Sequence, residues 1–280
     1  MKKKEKQNVI GTGVFKSQEF TLGSGKTVSS AFPVSTYILL FILLLSTLAV
    51  VVTRVNIPLV IRNGLNFWDI PIRMFPIDWE YFAKASGPMV DTIQMSLLGS
   101  IVGSALALPV AFLAASNINK NKPSLLLTRM ILTLFRTLPV LVYAAIFTVI
   151  FGFGTFAGTL AIMLFTFSIV SKILYENVET IDLGAFEAIE STGSNKLKAI
   201  VVAILPQVLP SFISTALYSF EINIRYAAIL GYVGAGGIGL LMAEKLGWKQ
   251  YNEFGLIFVL LFVVVVSIES LSKYLRGRLE

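Results

Sequence analysis

Side chains able to do chemistry are few in this chain of 280 residues, which has neither Cys nor His. A disulfide, an iron–sulfur cluster or a thiol nucleophile is therefore excluded, and the commonest general base and metal ligand is missing. What remains inside apolar surroundings is a small charged set. Glu221 and Arg225 are four residues apart, so they share a helix face and can pair where an isolated charge would be expensive. Asn223 lies between them on another face, placed to bond across to a neighbouring helix. Arg136, in the string FRTLP, either lines a pathway or snorkels to an interface. With Glu269 and Asp91 these residues share no acid–base motif, so an intramembrane enzyme is a remote reading. No cofactor and no metal are expected.

Two further strings stand out. In the polar stretch around EAIESTG (Glu187–Gly193), Leu183, Phe186 and Ile189 recur every three residues. They form one apolar stripe on a short helix, with Glu187 and Glu190 off it and Ala188 beside it. Gly193 suits a left-handed C-terminal cap, and Ser194 could cap the next helix. The second string, from Tyr226 to Ala243, is uncharged but carries Gly231, Gly234, Gly236, Gly237 and Gly239. Each glycine costs a helix about 1 kcal/mol against Ala, so a straight lipid-facing helix is disfavoured. Irregular backbone at membrane depth needs cover from protein or a water-filled cavity, which suggests a broken or re-entrant segment beside a pathway. Tight glycine-mediated helix packing is the alternative.

The elements that must carry these residues follow from charge-free length. Hydrophobic residues make up 55% of the chain and charged ones only 14%, far from a soluble domain. A hydrocarbon core of about 30 Å needs roughly 20 apolar helical residues. Spans are expected at Val34–Thr53, Thr92–Ala115, Ala199–Phe220 and Phe254–Ser272. Two more are expected between Arg136 and Lys172, broken at Gly152–Gly154. The reading is an all-α, polytopic membrane helix bundle of about six transmembrane helices. Pro139, Pro206 and Pro210 are candidate kinks.

The formal charge of +7 is spread over span ends without aromatic interleaving, which argues against nucleic acid. The tail, the 116–129 loop, the 172–198 loop and the C-terminal end together carry 15 Lys and Arg, against 6 in the loops 54–91 and 244–253. Both termini and the EAIESTG loop are thus expected in the cytoplasm. Residues 1–33 read as a mobile cytoplasmic tail, and no cleavage site follows the first apolar run. Residues 54–91, with Trp68, Trp79 and Tyr81, read as an ordered external loop with interfacial aromatics.

Glu-Ala-Ile, three residues, Gly193, then a run ending in Ile204-Leu205-Pro206 resembles the coupling loop of ABC-importer permeases. Ile189 and Ala203 depart from that pattern. The string YSFEINIRYAAILGYVGAGGIG resembles the phosphonate-transport branch, and FRTLP is similar to the family's third-span pattern. The resemblance covers about residues 88–275. It implies a type I, methionine-permease-like fold, with 34–87 as first span plus external loop and 276–280 as a cytoplasmic end. It also implies two ABC ATPase subunits, an external substrate-binding protein and a second permease copy, identical or related, in the lipid bilayer of the plasma membrane. Leu183, Phe186, Glu187, Ala188, Ile189 and Gly193 would meet the ATPase. Arg136, Glu221, Asn223, Arg225, Gly234, Gly236, Gly237 and Gly239 would border the pathway. The cargo would be a phosphonate or related phosphorus oxyanion, or alternatively methionine or a quaternary amine. The chain lacks a GxxxxGK[ST] loop, so ATP hydrolysis falls to a partner. A passive channel would have no use for a coupling loop.

Overall fold

The computed structural model describes residues 19–21, 25–29 and 34–279. Most of the 1–33 tail, and Glu280 of the C-terminal end, lie outside these. Two compact units divide the chain at Phe67–Trp68. In the first, strands β1 (Glu19–Thr21) and β2 (Thr27–Ser29) pair antiparallel, an element that the polar composition did not announce. Helix α1 (Val34–Val52) follows, then α2 (Ile57–Asn63), whose cap is the Asn56 side chain accepting from the Leu59 N–H.

The second unit begins with α3 (Asp69–Arg73) and a single 3-10 turn at Trp79–Tyr81, so the expected external loop is largely helical. It continues with α4 (Phe82–Ala114), α5 (Lys122–Thr137), α6 (Val140–Phe151) and α7 (Thr155–Thr180). Short helices α8 (Gly184–Ser191) and α9 (Lys196–Ala199) precede a π-helical turn at Ile200–Ile204. Then come α10 (Leu205–Leu230), α11 (Gly237–Gly247) and α12 (Tyr251–Arg276). Among the described residues, five helical segments are long and apolar enough to cross a membrane, and the α5–α6 pair, bent by 87°, makes a sixth if it is one span.

Three boundaries differ from the sequence reading. Helix α4 starts ten residues before Thr92, because Lys84 and Asp91 sit on its exposed side. Helix α10 runs on past Phe220 to Leu230, taking in the charged pair. The third span does not begin at Arg136; α5 already starts at Lys122, and Arg136 stands at the elbow before Pro139. The break at Gly152–Gly154 is where it was expected.

Small residues let α4 and α7 approach closely, as in membrane helix pairs generally. A Cβ on Gly99 would lie 2.7 Å from Ile162 Cγ2, and one on Gly103 would lie 2.5 Å from the Met163 carbonyl oxygen. Along the same helix Thr92, Ser96, Ser100 and Ser104 recur every four residues and are all buried. Ser96 and Ser100 donate to the carbonyl one turn back, at 2.8 and 2.6 Å. Thr92 does the same to the Pro88 carbonyl at 2.8 Å, so three of the four hydroxyls are satisfied locally in an apolar interior, while Ser104 Oγ has no partner among the described residues.

At one end of the unit, Lys245 bridges α11 and α12. Its ammonium lies 2.7 Å from Glu253 and 4.8 Å from the centre of the Tyr81 ring. The hydrogen bond to Glu253 raises its pKa, and the Tyr81 contact adds to that against the opposing effect of burial.

Candidate functional site

The EAIESTG string forms α8 between the ends of α7 and α10. Asp182 Oδ1 accepts from the Gly184 N–H at 2.9 Å, and Glu187 sits in the first turn, where a negative charge suits the helix dipole. Gly193 closes the helix in the left-handed region at φ +81°, its N–H donating to the Glu190 carbonyl. The next cap is Asn195 rather than the expected Ser194: its side chain accepts from the Leu197 N–H. Asn has the reach that places its oxygen at that donor.

The expected stripe is real, and it faces inward. Phe186 is buried, and Leu183 and Ile189 pack with it against Leu174, Val178, Ala199, Ile204 and Val208. Ile189, the departure from the family pattern, puts its extra bulk into this cluster. Glu187, Ala188 and Gly193 are exposed on the other side. The six coupling candidates therefore divide: three seat the helix and three are presented outward. Side-chain bonds tie the same region to the spans. Asn177 donates to Ser211 at 2.6 Å, and Gln207 to the Ala203 carbonyl at 2.7 Å. Arg129 pairs with Glu179, which also accepts from the Ser116 N–H at 2.7 Å. This tie joins α5, α7 and the end of α4, and no sequence spacing pointed to it.

A second set of residues meets at one level of the bundle. Asn223 is fully buried and donates to Ser100 and Thr166, both at 2.7 Å, joining α10 to α4 and α7 as its position suggested. Two residues to either side of it are Glu221 and Arg225, paired at 2.7 Å. The expected pair is in fact a network of four. Arg276 also reaches Glu221 at 3.0 Å, and Glu269 reaches Arg225 at 3.2 Å. Phe135, beside Arg136, packs edge-on against Phe167, next to Thr166. Arg136, Asn223, Glu221 and Arg225 thus share a level, and none of the glycines is there.

Those glycines lie past the end of α10 at Leu230, about 10 Å beyond Asn223 at 1.5 Å per residue, in the turn into α11 and its first residues. Helix α11 has 11 residues and rises about 16 Å, half of a hydrocarbon core, so it cannot cross alone. Gly234 lies under the Phe153 ring, Gly236 against Thr155, Gly237 against Thr92 and Gly239 against Ala228. Thr92 Oγ1 accepts from the Ile238 N–H at 2.7 Å. All but Gly237 are buried within this one chain, and Gly237 is half-buried. The segment is broken, as expected, and glycine-mediated packing holds it.

Among the described residues no cluster of acidic side chains could hold a metal ion. Comparison with known proteins fits the geometry. The family model for a binding-protein-dependent transport system inner membrane component matches residues 107–279. The chain is 35% identical over 189 residues to the phosphate-import permease protein PhnE of Mycolicibacterium smegmatis, across 68% of this chain and 36% of that one. It therefore spans little more than a third of that relative. It is 33% identical over 201 residues to the phosphite transport system permease protein PtxC of Stutzerimonas stutzeri, across 72% of this chain and 73% of that one. The inward-facing methionine ABC transporter MetNI superposes with a TM-score of 0.64 at 20% identity, over 73% of this chain and all of the matched one. That likeness carries the fold. A bent-span helix bundle with an exposed short helix between two spans, matched by the family model over most of its length, is a multi-pass membrane transport subunit and not an enzyme: the chain belongs to the family of binding-protein-dependent transport system inner membrane components.

Proposed function

We propose that this chain is the permease of an ATP-driven importer for phosphorus oxyanions, a class spanning phosphate, phosphite and phosphonates. The observation that carries the transport reading is α8: its apolar side is locked into the spans while Glu187 and Ala188 face outward, free for a partner. The cargo reading is supported by the relatives named for phosphate and phosphite at 35% and 33% identity. Two ATPase subunits would grip α8 and its counterpart in a second permease copy, identical or related. An external substrate-binding protein would deliver the anion to the opposite end. Closure of the ATPase pair would pull the two α8 helices together and open the pathway outward, a population shift driven by ATP binding.

Cells lacking the chain should lose uptake of labelled phosphate, phosphite or methylphosphonate and regain it with the wild-type gene. Glu187→Lys and Gly193→Pro should reach the membrane at wild-type abundance and fail to restore uptake. Proline cannot adopt φ +81° and has no N–H for the Glu190 carbonyl, so the end of α8 loses its cap. Normal uptake by Gly193→Pro would count against coupling through α8. Loss of a different solute, with all three oxyanions still imported, would overturn the cargo alone.

The distribution of Lys and Arg supports cytoplasmic placement of both termini and of the 172–198 loop. Because the chain has no native Cys, single cysteines report without background. Ser194→Cys should resist a membrane-impermeant thiol reagent in intact cells, and Ser86→Cys should react. The reverse pattern would invert the topology and remove α8 from the ATPase side.

A further inference from the structure

Arg136 stands in an unusual electrostatic position. The bent pair α5–α6 meets α7 at successive levels: Arg129 meets Glu179 at one end, and Phe151 packs edge-on against Phe156 at the other. Phe135 meets Phe167 between them. Phe167 is 12 residues from Thr155 and 12 from Glu179, about 18 Å each way at 1.5 Å per residue. On α4 the facing residue is Gly103, midway along the stretch from Thr92 to Ala114, which carries no charge. The elbow is therefore midway along α7, about 8 Å from Lys172 at 1.5 Å per residue and level with the end of α12, where Arg276 meets Glu221.

Arg129, Lys172 and Arg225, the other basic residues away from span ends, each face a carboxylate. Arg136 does not. It is exposed, and its guanidinium has neither an ion-pair nor a hydrogen-bond partner among the described residues. A bare guanidinium against apolar surface is costly, and charged residues within membrane bundles face the interior or a water-filled cavity. Across the elbow, three residues on from Arg136, begins an apolar hollow of about 210 Å³ lined by Pro139, Val140, Leu141, Phe165, Tyr226 and Ile229. A low-dielectric wall of this kind strengthens any ion pair formed next to it.

We propose that Arg136 is the residue of this chain that pairs with the oxyanion in transit. The planar fork of a guanidinium takes two oxygens of a tetrahedral anion at once, which an ammonium does only as a point charge. This placement rests on the cargo reading above. It gives the bent span a purpose: the elbow at Pro139 turns the span at the level where the charge is needed, and the hollow beside it lowers competition from water.

The test uses the assembled transporter in proteoliposomes, with ATP inside or outside as orientation requires, and labelled phosphite and methylphosphonate as probes. Arg136→Gln should assemble with its partner subunits and lose uptake of both probes by roughly tenfold or more, while Arg136→Lys should keep a substantial part of it. Wild-type uptake by Arg136→Gln would overturn the placement and leave the cargo reading standing. Failure of both variants to assemble would also overturn it, since the residue would then serve helix packing. If the wild-type transporter moves neither probe but does move another solute, the cargo reading itself falls and the placement with it.

Discussion

Gly231→Ala should leave little folded permease in the membrane. At this position α10 ends and its backbone lies directly on the start of α11. An added Cβ would sit 1.9 Å from the Gly239 carbonyl carbon and 2.0 Å from the Leu240 nitrogen. Both obstacles are backbone, so no rotamer change relieves them, and the cost belongs at or beyond the upper end of the roughly 1–3 kcal/mol seen for overpacked side chains. Gly239→Ala meets the same seam from the other side, 2.1 Å from the Ala228 carbonyl oxygen. Gly247→Ala, with nothing within 4 Å of the new atom, is the control and should accumulate normally. Abundance in the membrane and monodispersity in detergent read out the difference. Gly231→Ala at wild-type abundance, with an unchanged melting temperature, would mean that α11 is not seated on α10.

The contrast among glycines shows where sequence reasoning stopped. The crowding of Gly231 to Gly239 announced a break, because several glycines in one window cannot sustain a straight span. It did not distinguish a moving wall from a packed seam, since both need the same missing side chains. Only the distances to Gly239, Ala228, Thr155 and Thr92 show the packing. Arg136 illustrates a different limit. Charged residues mark span ends in the sequence, which starts the third span at Arg136. Helix α5 extends a span through Arg129 because Glu179, 50 positions away, neutralises it, and no local pattern reveals such a partner. Asn223 was legible as a residue that bonds across helices; Ser100 and Thr166 were not legible as its partners. The four-residue spacing of Thr92, Ser96, Ser100 and Ser104 was nevertheless a readable sign that one face of α4 is polar and buried. The stripe through Leu183, Phe186 and Ile189 was visible from periodicity alone, yet periodicity cannot say whether an apolar face meets its own chain or another.

Glu221→Ala should be the most damaging change in the charged network, costing about 3–5 kcal/mol because it strands buried positive charge. The Glu221 side chain is 6% exposed and holds two guanidinium groups, so its removal leaves both short of a counter-charge. The larger share of the cost comes from Arg276. Its side chain is 25% exposed and leans over the Tyr218 ring, with Glu221 as its one carboxylate partner among the described residues. Arg225 is 47% exposed and keeps Glu269 as a second partner, so water and that carboxylate soften its loss. The expected order of destabilisation in thermal unfolding is therefore Glu221→Ala, then Arg276→Ala, then Arg225→Ala. Replacing Glu221 and Arg225 together by Gln does not isolate a transport role for Arg225, because Arg276 and Glu269 are left unmatched. The informative comparison pairs Glu221→Gln with Arg276→Gln, which removes the buried charge of both signs and should recover part of the stability lost in either single variant. Uptake then separates the two arginines. If Arg225→Ala melts near the wild type but transports poorly, its exposed guanidinium acts on the moving anion one level with Arg136. If uptake follows stability across all these variants, the network is a clasp between α10 and α12, and the anion passes it without pairing.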